Sequence, residues 1–193
     1  MVPSTGYNKT KTAVFISGTG SNLKSLIKFS RTAKSPISID FVISNNSKAK
    51  GLDYAKKFKI KKKVLNFKNK NLSEKELLSI LKINSIDMIC LAGFMKILSG
   101  NFIKKFKGKI LNIHPSLLPK YKGLNTHERA LNNKEKYSGC TVHFVSSELD
   151  SGKIILQKKV KISKKETEVS LAKKILIQEH KLYPKAILKV FNL

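Results

Sequence analysis

The sequence predicts an α/β protein: a mostly parallel, twisted sheet with helices on both faces and an antiparallel strand pair in its C-terminal part. Three observations predict it. Short apolar runs alternate with helix-period stretches through the first half of the chain, the pattern of a sheet covered on both sides. The runs are short and mostly apolar, as strands buried on both faces are. Nearer the C-terminus two segments alternate apolar and polar residues, joined by too few residues for a crossover helix. The chain has 193 residues, 41% of them hydrophobic, with only ten glycines and five prolines. Disordered, collagenous and coiled-coil readings are thereby excluded. No apolar run approaches the roughly 20 residues that span a bilayer.

The elements follow in order. Residues 1–12 are polar, lack the apolar core of a signal peptide, and read as a flexible tail before one domain, 13–193. Ala13–Ser17 is the first buried strand, and a helix runs from Asn22 to about Arg31 with Leu23, Leu26, Ile27 and Ser30 on one face. Ile37–Ser44 is a strand, Ala49–Phe58 a helix and Lys63–Asn66 a brief strand. Ser73 opens the next helix, with Glu76 three residues on as a capping box, and that helix ends near Asn84. Ile86–Ala92 and Lys109–Ile113 are further buried strands. Cys140–Ser146 and Lys153–Ile162 read as half-exposed strands, paired antiparallel across Ser147–Gly152. A final helix runs from about Val169 towards Phe191, with Pro184 placed to bend or break it.

The charge is extreme. Thirty-nine basic residues against twelve acidic give +27, a balance that suggests nucleic acid or an anionic membrane. Only Arg31 and Arg129 are arginine, and the remaining 37 are lysine, beside 20 Ile and 14 Asn. Lys, Ile and Asn share AT-rich codons, and arginine is the better bidentate reader of phosphates and bases. A solvated lysine surface is therefore the expected reading, with no nucleic-acid and no membrane partner. A general pull on small anions survives either way. Cys90 and Cys140 lie in strand-like apolar contexts and read as buried free thiols of a reducing, cytoplasmic protein.

Three segments could carry chemistry. Ser17–Asn22 (SGTGSN) joins the first strand to the first helix, where glycines and a helix N-terminus suit an anion. A tight turn with Ser21 or Asn22 as N-cap fits equally. It is neither a dinucleotide fingerprint, since Leu23 stands where the third small residue belongs, nor a P-loop. Leu111–Gly123 (LNIHPSLLPKYKG) is the stronger candidate. A strand ends at Ile113, and Asn112 and His114, two apart, point to the same side. An amide and an imidazole there can polarise a carbonyl and move a proton. In Glu148–Ile154, Asp150 is turn chemistry unless the fold brings it to His114. His127, His143 and His180 show no ligand spacing with each other or the cysteines, so no metal is expected.

From Ala13 to Phe191 the chain resembles the phosphoribosylglycinamide formyltransferases, folate-dependent enzymes of purine synthesis. The resemblance rests on Ile16–Leu23, Leu91–Leu98 (LAGFMKIL), Leu111–Gly123, Gly139–Val145, Glu148–Gln157 and Gln178–Pro184, six segments in order. It implies a Rossmann-like formyltransferase fold and transfer of a formyl group from 10-formyltetrahydrofolate, as co-substrate, to the amine of glycinamide ribonucleotide. By the same resemblance Asn112, His114 and Asp150 are the catalytic trio. Gly20, Ser21 and Asn22 seat the ribonucleotide phosphate, and Glu179 contacts the same substrate. Met95, Lys96, Ile97, Leu98, Asn112, Val145, Leu149 and Asp150 form the folate pocket. Asp150 is expected to raise the His114 pKa. Lys96 stands where many members have Arg, and Asn125 where a His is common.

The resemblance also implies small-molecule partners and a monomer or weak homodimer. A 10-formyltetrahydrofolate hydrolase is the nearest alternative activity. It usually carries an extra domain before the catalytic one, as the formyltransferase of initiator methionyl-tRNA carries one after it, and the length disfavours both. A basic nucleic-acid-binding domain that keeps only the fold is the non-enzymatic alternative.

Overall fold

The computed structural model describes residues 9–193. Most of the expected 1–12 tail therefore lies outside the described residues. Its last part does not fit the expectation: Thr10–Thr12 belong to the first strand, paired with Ile37–Ile39. Their polar side chains hid a strand start that is fixed by a neighbour far along the chain.

Seven strands form one sheet: β1 (Thr10–Ile16), β2 (Ile37–Ser44), β3 (Lys61–Val64), β4 (Met88–Leu91), β5 (Lys109–His114), β6 (Tyr137–Phe144) and β7 (Ile154–Lys161). Their spatial order is β3-β2-β1-β4-β5-β6-β7. The first five pair in parallel, while β5–β6 and β6–β7 are antiparallel. The helices are α1 (Ser21–Ser30), α2 (Gly51–Lys57), α3 (Lys70–Ile83), α4 (Gly100–Lys105), α5 (Thr126–Asn132) and α6 (Glu168–Val190). No helix among the described residues is long and apolar enough to cross a membrane.

The two-residue period of β1 sorts the core into two layers. Val14 and Ile16 pack with Leu23, Leu26 and Ile27 of α1 and with Ile175 and Tyr183 of α6. Ala13 and Phe15 pack on the other face with Leu77 and Leu81 of α3 and Phe102 of α4. Tyr183 is fully buried, its hydroxyl within hydrogen-bonding reach of the carbonyls of Leu91 (3.1 Å) and Leu111 (3.0 Å), on adjacent strands. The edge strands are rich in lysine: Lys61, Lys62 and Lys63 on β3, and Lys158, Lys159 and Lys161 on β7.

Several expectations are corrected. The third helix begins at Lys70, capped by Asn69, whose side chain accepts from the Leu72 N–H at 3.1 Å. Ser73 lies inside it and donates to the Asn66 carbonyl instead. The short helices α4 and α5 carry too few turns to show a period. Ser99 caps α4 and is clasped by the buried Glu74 carboxylate. Strand β6 is buried on both faces over Ser138–His143 rather than half-exposed. Cys140 and Val142 face α6, and the Pro-rich segment after β5 roofs the other side, with Thr141 Oγ1 bonded to the Ser116 carbonyl and the Leu118 N–H.

Helix α6 continues unbroken through Pro184. A proline there removes the N–H that would meet the carbonyl of residue 180, and a buried carbonyl needs a partner. Ser25 of α1 supplies it: its hydroxyl donates to the His180 carbonyl at 2.9 Å. The proline thus fastens α1 to α6. Ser25→Ala should cost about 1 kcal/mol in chemical denaturation, the usual worth of such a bond. In a Pro184→Ala background, where the helix regains its own N–H, the same change should cost distinctly less. Equal costs in both backgrounds would refute the link.

Candidate active site

The chain lays β2 and β3 to one side of β1, then returns to lay β4 and β5 on the other. At such a reversal the loops leaving adjacent strands diverge and open a crevice beyond their carboxyl ends. A cavity of about 690 Å³ lies there. Every residue expected from the sequence to serve the site lines it: Asn112, His114 and Asp150; Gly20, Ser21, Asn22 and Glu179; Met95, Lys96, Ile97, Leu98, Val145 and Leu149.

One end of the cavity is formed by the start of α1. Gly20 is its N-cap, in the left-handed region at φ 73°, with no side-chain cap and no acid in the first turn. Ser21 and Asn22 are therefore not caps, and the first N–H groups of α1 keep the partial positive charge of a helix start. A side chain at Gly20 would meet the Gly51 Cα at 2.5 Å, so this glycine also lets α1 and α2 begin side by side. Asn22 donates to the buried Glu179 carboxylate at 2.7 Å, while its own Oδ1 is buried without a partner. Burial raises the Glu179 pKa against the lowering effect of that bond.

The other end is apolar. Met95 (64% exposed), Ile97 and Leu149 stand with large exposed surfaces, and Leu98 closes the floor. Exposed apolar side chains grouped in a cavity mark a site for a flat or apolar ligand. Ser17 binds the two ends together. Its N–H donates to the Gly93 carbonyl at 3.1 Å, and its hydroxyl accepts from the Met95 N–H at 2.7 Å.

Between them lies a polar centre. Leu111 and Ile113 of β5 face α6, so Asn112 and His114 face the opposite side. The antiparallel register sets Asn112 against His143 and His114 against Thr141. Asp150, at φ 47° after the β6 loop, brings its carboxylate against both histidines. Oδ2 is 3.3 Å from His114 Nδ1 and accepts from the Gly123 N–H at 2.9 Å. Oδ1 is 3.6 Å from His143 Nε2 and 3.4 Å from Asn112 Nδ2. The juxtaposition that decides between turn residue and site residue is thus present.

The ring nitrogens can be assigned from their partners. His114 Nε2 faces the Tyr121 carbonyl at 2.8 Å and must donate. His143 Nδ1 likewise donates to the Phe144 carbonyl at 2.8 Å, so Nε2 of the neutral ring accepts from Asn112 Nδ2 at 3.2 Å. Burial is the largest influence on His114 and carries its pKa below the ordinary 6.5. The Tyr121 carbonyl and the Asp150 charge pull it back up without reversing the direction. Asp150 raises the ring's pKa as expected, and desolvation outweighs it. Burial also pushes the Asp150 carboxyl up, yet the neighbouring imidazoles of His143 and His114 and the Gly123 hydrogen bond hold it below the usual carboxylate range. Burial lifts the free thiols of Cys90 and Cys140 to about 12, so neither serves as a nucleophile at neutral pH.

Sequence reasoning passed over two residues of the cavity. His143 was visible only through the strand register that places it opposite Asn112. His127, in the first turn of α5, lines the wall with Nδ1 buried and unpartnered. Among the described residues no group of three His, Cys, Asp or Glu side chains is placed to hold a metal ion.

The sequence profile of the formyl transferase family matches residues 10–187. The phosphoribosylglycinamide formyltransferase of Haemophilus influenzae is 43% identical over 180 residues, 92% of this chain and 85% of that protein. The human trifunctional purine biosynthetic protein adenosine-3 is 47% identical over 182 residues, and the chain spans only 18% of its length. The crystal structure of phosphoribosylglycinamide formyltransferase from Brucella melitensis superposes with a TM-score of 0.89 at 42% identity, covering 95% of this chain and 96% of that one.

The contacts of Asp150 predict a titration. Asp150→Asn keeps the side chain's shape and removes a charge that raises the His114 pKa. An NMR titration of the His114 ring should show a value lower than in the unmodified protein, since the imidazolium loses its counter-charge. An unchanged value would mean that the carboxylate does not touch the ring in solution.

Proposed function

We propose that this chain, which belongs to the formyl transferase family, transfers the formyl group of 10-formyltetrahydrofolate to the amine of glycinamide ribonucleotide. The products are formylglycinamide ribonucleotide and tetrahydrofolate, an exchange of purine synthesis. The observation that carries the reading is the meeting of Asn112, His114 and Asp150 between a cationic helix start and an apolar wall in one cavity. The α1 start, with Gly20, Ser21 and Asn22, seats the ribonucleotide phosphate, and Glu179 contacts the same substrate. Met95, Ile97, Leu98, Val145 and Leu149 hold the pterin of the folate, with Lys96 beside them. All these residues come from one chain, which suits a monomer or a weak homodimer. Free buried thiols suit a reducing cytoplasm. The transferring unit is the single domain 13–193, extended by Thr10–Thr12.

The chemistry follows from the contacts. The substrate amine attacks the formyl carbon, forming a C–N bond while the carbonyl oxygen gathers negative charge. Asn112 donates to that oxygen by giving up its longer bond, the 3.4 Å contact with Asp150, and keeping the one to His143. Burial favours the neutral His114 ring; with Nε2 donating to the Tyr121 carbonyl, its free lone pair is on Nδ1, and the amine's proton reaches that atom through a water beside the Asp150 carboxylate. The imidazolium is held by the Asp150 carboxylate on Nδ1 and the Tyr121 carbonyl on Nε2. The bond from carbon to the folate nitrogen then breaks, and that nitrogen takes back the proton.

Two measurements test this. Purified protein should consume 10-formyltetrahydrofolate only when glycinamide ribonucleotide is present; equal consumption without it would make the chain a hydrolase. In that assay His114→Ala should lose about 10²–10⁴-fold in kcat, the usual contribution of an acid–base group, with ribonucleotide binding nearly intact. Ser21→Asp tests the phosphate seat without straining the fold, because an acid at a helix start is favourable. It should raise the KM for the ribonucleotide roughly tenfold or more through like-charge repulsion, and leave that for the folate nearly unchanged. Parallel changes in both constants would place the phosphate elsewhere.

A further inference from the structure

Of 39 basic residues only two are arginine, and both are used where lysine would not serve. Arg31 lies over the Phe58 ring at 4.6 Å and donates to the Phe58 carbonyl. Arg129, on α5, lies over the Tyr121 ring at 5.2 Å. One of its nitrogens, Nη1, donates to the carbonyl of Lys122 at 2.7 Å and reaches that of Leu124 at 3.3 Å. A planar guanidinium can stack on a ring and direct N–H groups at nearby carbonyls at once; an ammonium cannot.

The segment that Arg129 grips is the one that holds both titratable members of the site. The Tyr121 carbonyl takes the His114 Nε2–H, and the Gly123 N–H donates to Asp150. Its backbone is also strained. Tyr121 (φ 57°) and Asn125 (φ 55°) are left-handed without being glycine, and Gly123 lies between them at φ 77°. Residues in that region persist only where their surroundings over-determine them. On the α5 side Arg129 grips the backbone carbonyls directly, while Glu135 and Asn133 bond only the Tyr121 hydroxyl and the Lys120 ammonium.

We propose that Arg129 is a positioning residue that holds the Tyr121–Asn125 segment in the conformation that orients His114 and Asp150. The inference rests on the formyl-transfer reading for its kinetic consequence and on the geometry alone for its structural one. Arg129 is exposed, so replacing it leaves the core intact. It touches no reacting group; apart from its charge, which adds to the lowering of the His114 pKa, it acts through the backbone it grips.

The test compares Arg129→Ala and Arg129→Lys with the unmodified chain in two measurements. Hydrogen–deuterium exchange without substrates should show faster exchange over residues 120–125 in both variants, by about tenfold or more, with the sheet amides unchanged. In the formyl-transfer assay kcat should fall roughly 10–100-fold in both, the range that misplacing a catalytic group by an ångström can reach, with both KM values within about threefold. The lysine variant should not rescue, since it restores charge without the planar fork. Unmodified protein without formyl transfer would refute the activity while leaving the exchange result to judge the anchor. Active unmodified protein whose variants match it in kcat and in exchange would overturn the proposal. Full rescue by lysine would reduce Arg129 to a surface charge.

Discussion

Everything in the polar centre depends on one buried anion. The Asp150 carboxylate reaches three separate stretches of chain: His114 and Asn112 at the end of β5, Gly123 in the segment beyond it, and His143 on β6. A carboxylate taken out of water is costly unless its lone pairs are met. Here the Gly123 N–H and the Asn112 amide meet them, with the His114 and His143 rings alongside, and the left-handed backbone at Asp150 is the cost of aiming it inward. The same contacts explain why its pKa lies below the usual carboxylate range although burial pushes it up.

The two ends of the cavity differ in physical character rather than in size. At the α1 end, attraction comes from backbone dipoles, and the only nearby acid, Glu179, is bonded to Asn22. At the far end it comes from apolar surface left uncovered. Ser17 spans the divide with one hydroxyl and one N–H, so the distance between the two ends is set by β1 and β4, adjacent strands inside the sheet. Precise placement of two reactants across the polar centre is then a property of the scaffold.

Much of this was legible in the sequence, for identifiable reasons. Phe41–Ile43, Met88–Ala92 and Ile110–Leu111 are short apolar stretches without the alternation of a half-exposed strand, as strands of a doubly covered sheet are. Asn112 and His114 announced themselves because a two-residue spacing at a strand end fixes a shared direction. What stayed hidden depends on partners distant in sequence. Thr10–Thr12 are strand residues because β2 pairs with them. Ser73 looked like a cap until Asn69 was seen to do the work. His143 had no visible spacing because its neighbour lies across the β5–β6 register. The lowered pKa of His114 could not be read at all, since it depends on burial rather than on the sign of the nearest charge. Pro184 suggested a break, and the compensating Ser25 hydroxyl sits on another helix.

The lysines on the two outer strands have a consequence of their own. An open sheet ends in rows of unpaired backbone groups that can template the addition of another chain. Here both rims, β3 and β7, present three lysines each. The lysines therefore set up mutual repulsion between copies along the two sheet edges of the described residues. That protection is purely Coulombic, so it weakens as ionic strength rises and the screening length shrinks to a few ångströms. Concentrated salt should make this chain less tolerant of crowding by its own kind, the reverse of what a protein guarded by prolines or bulges would show.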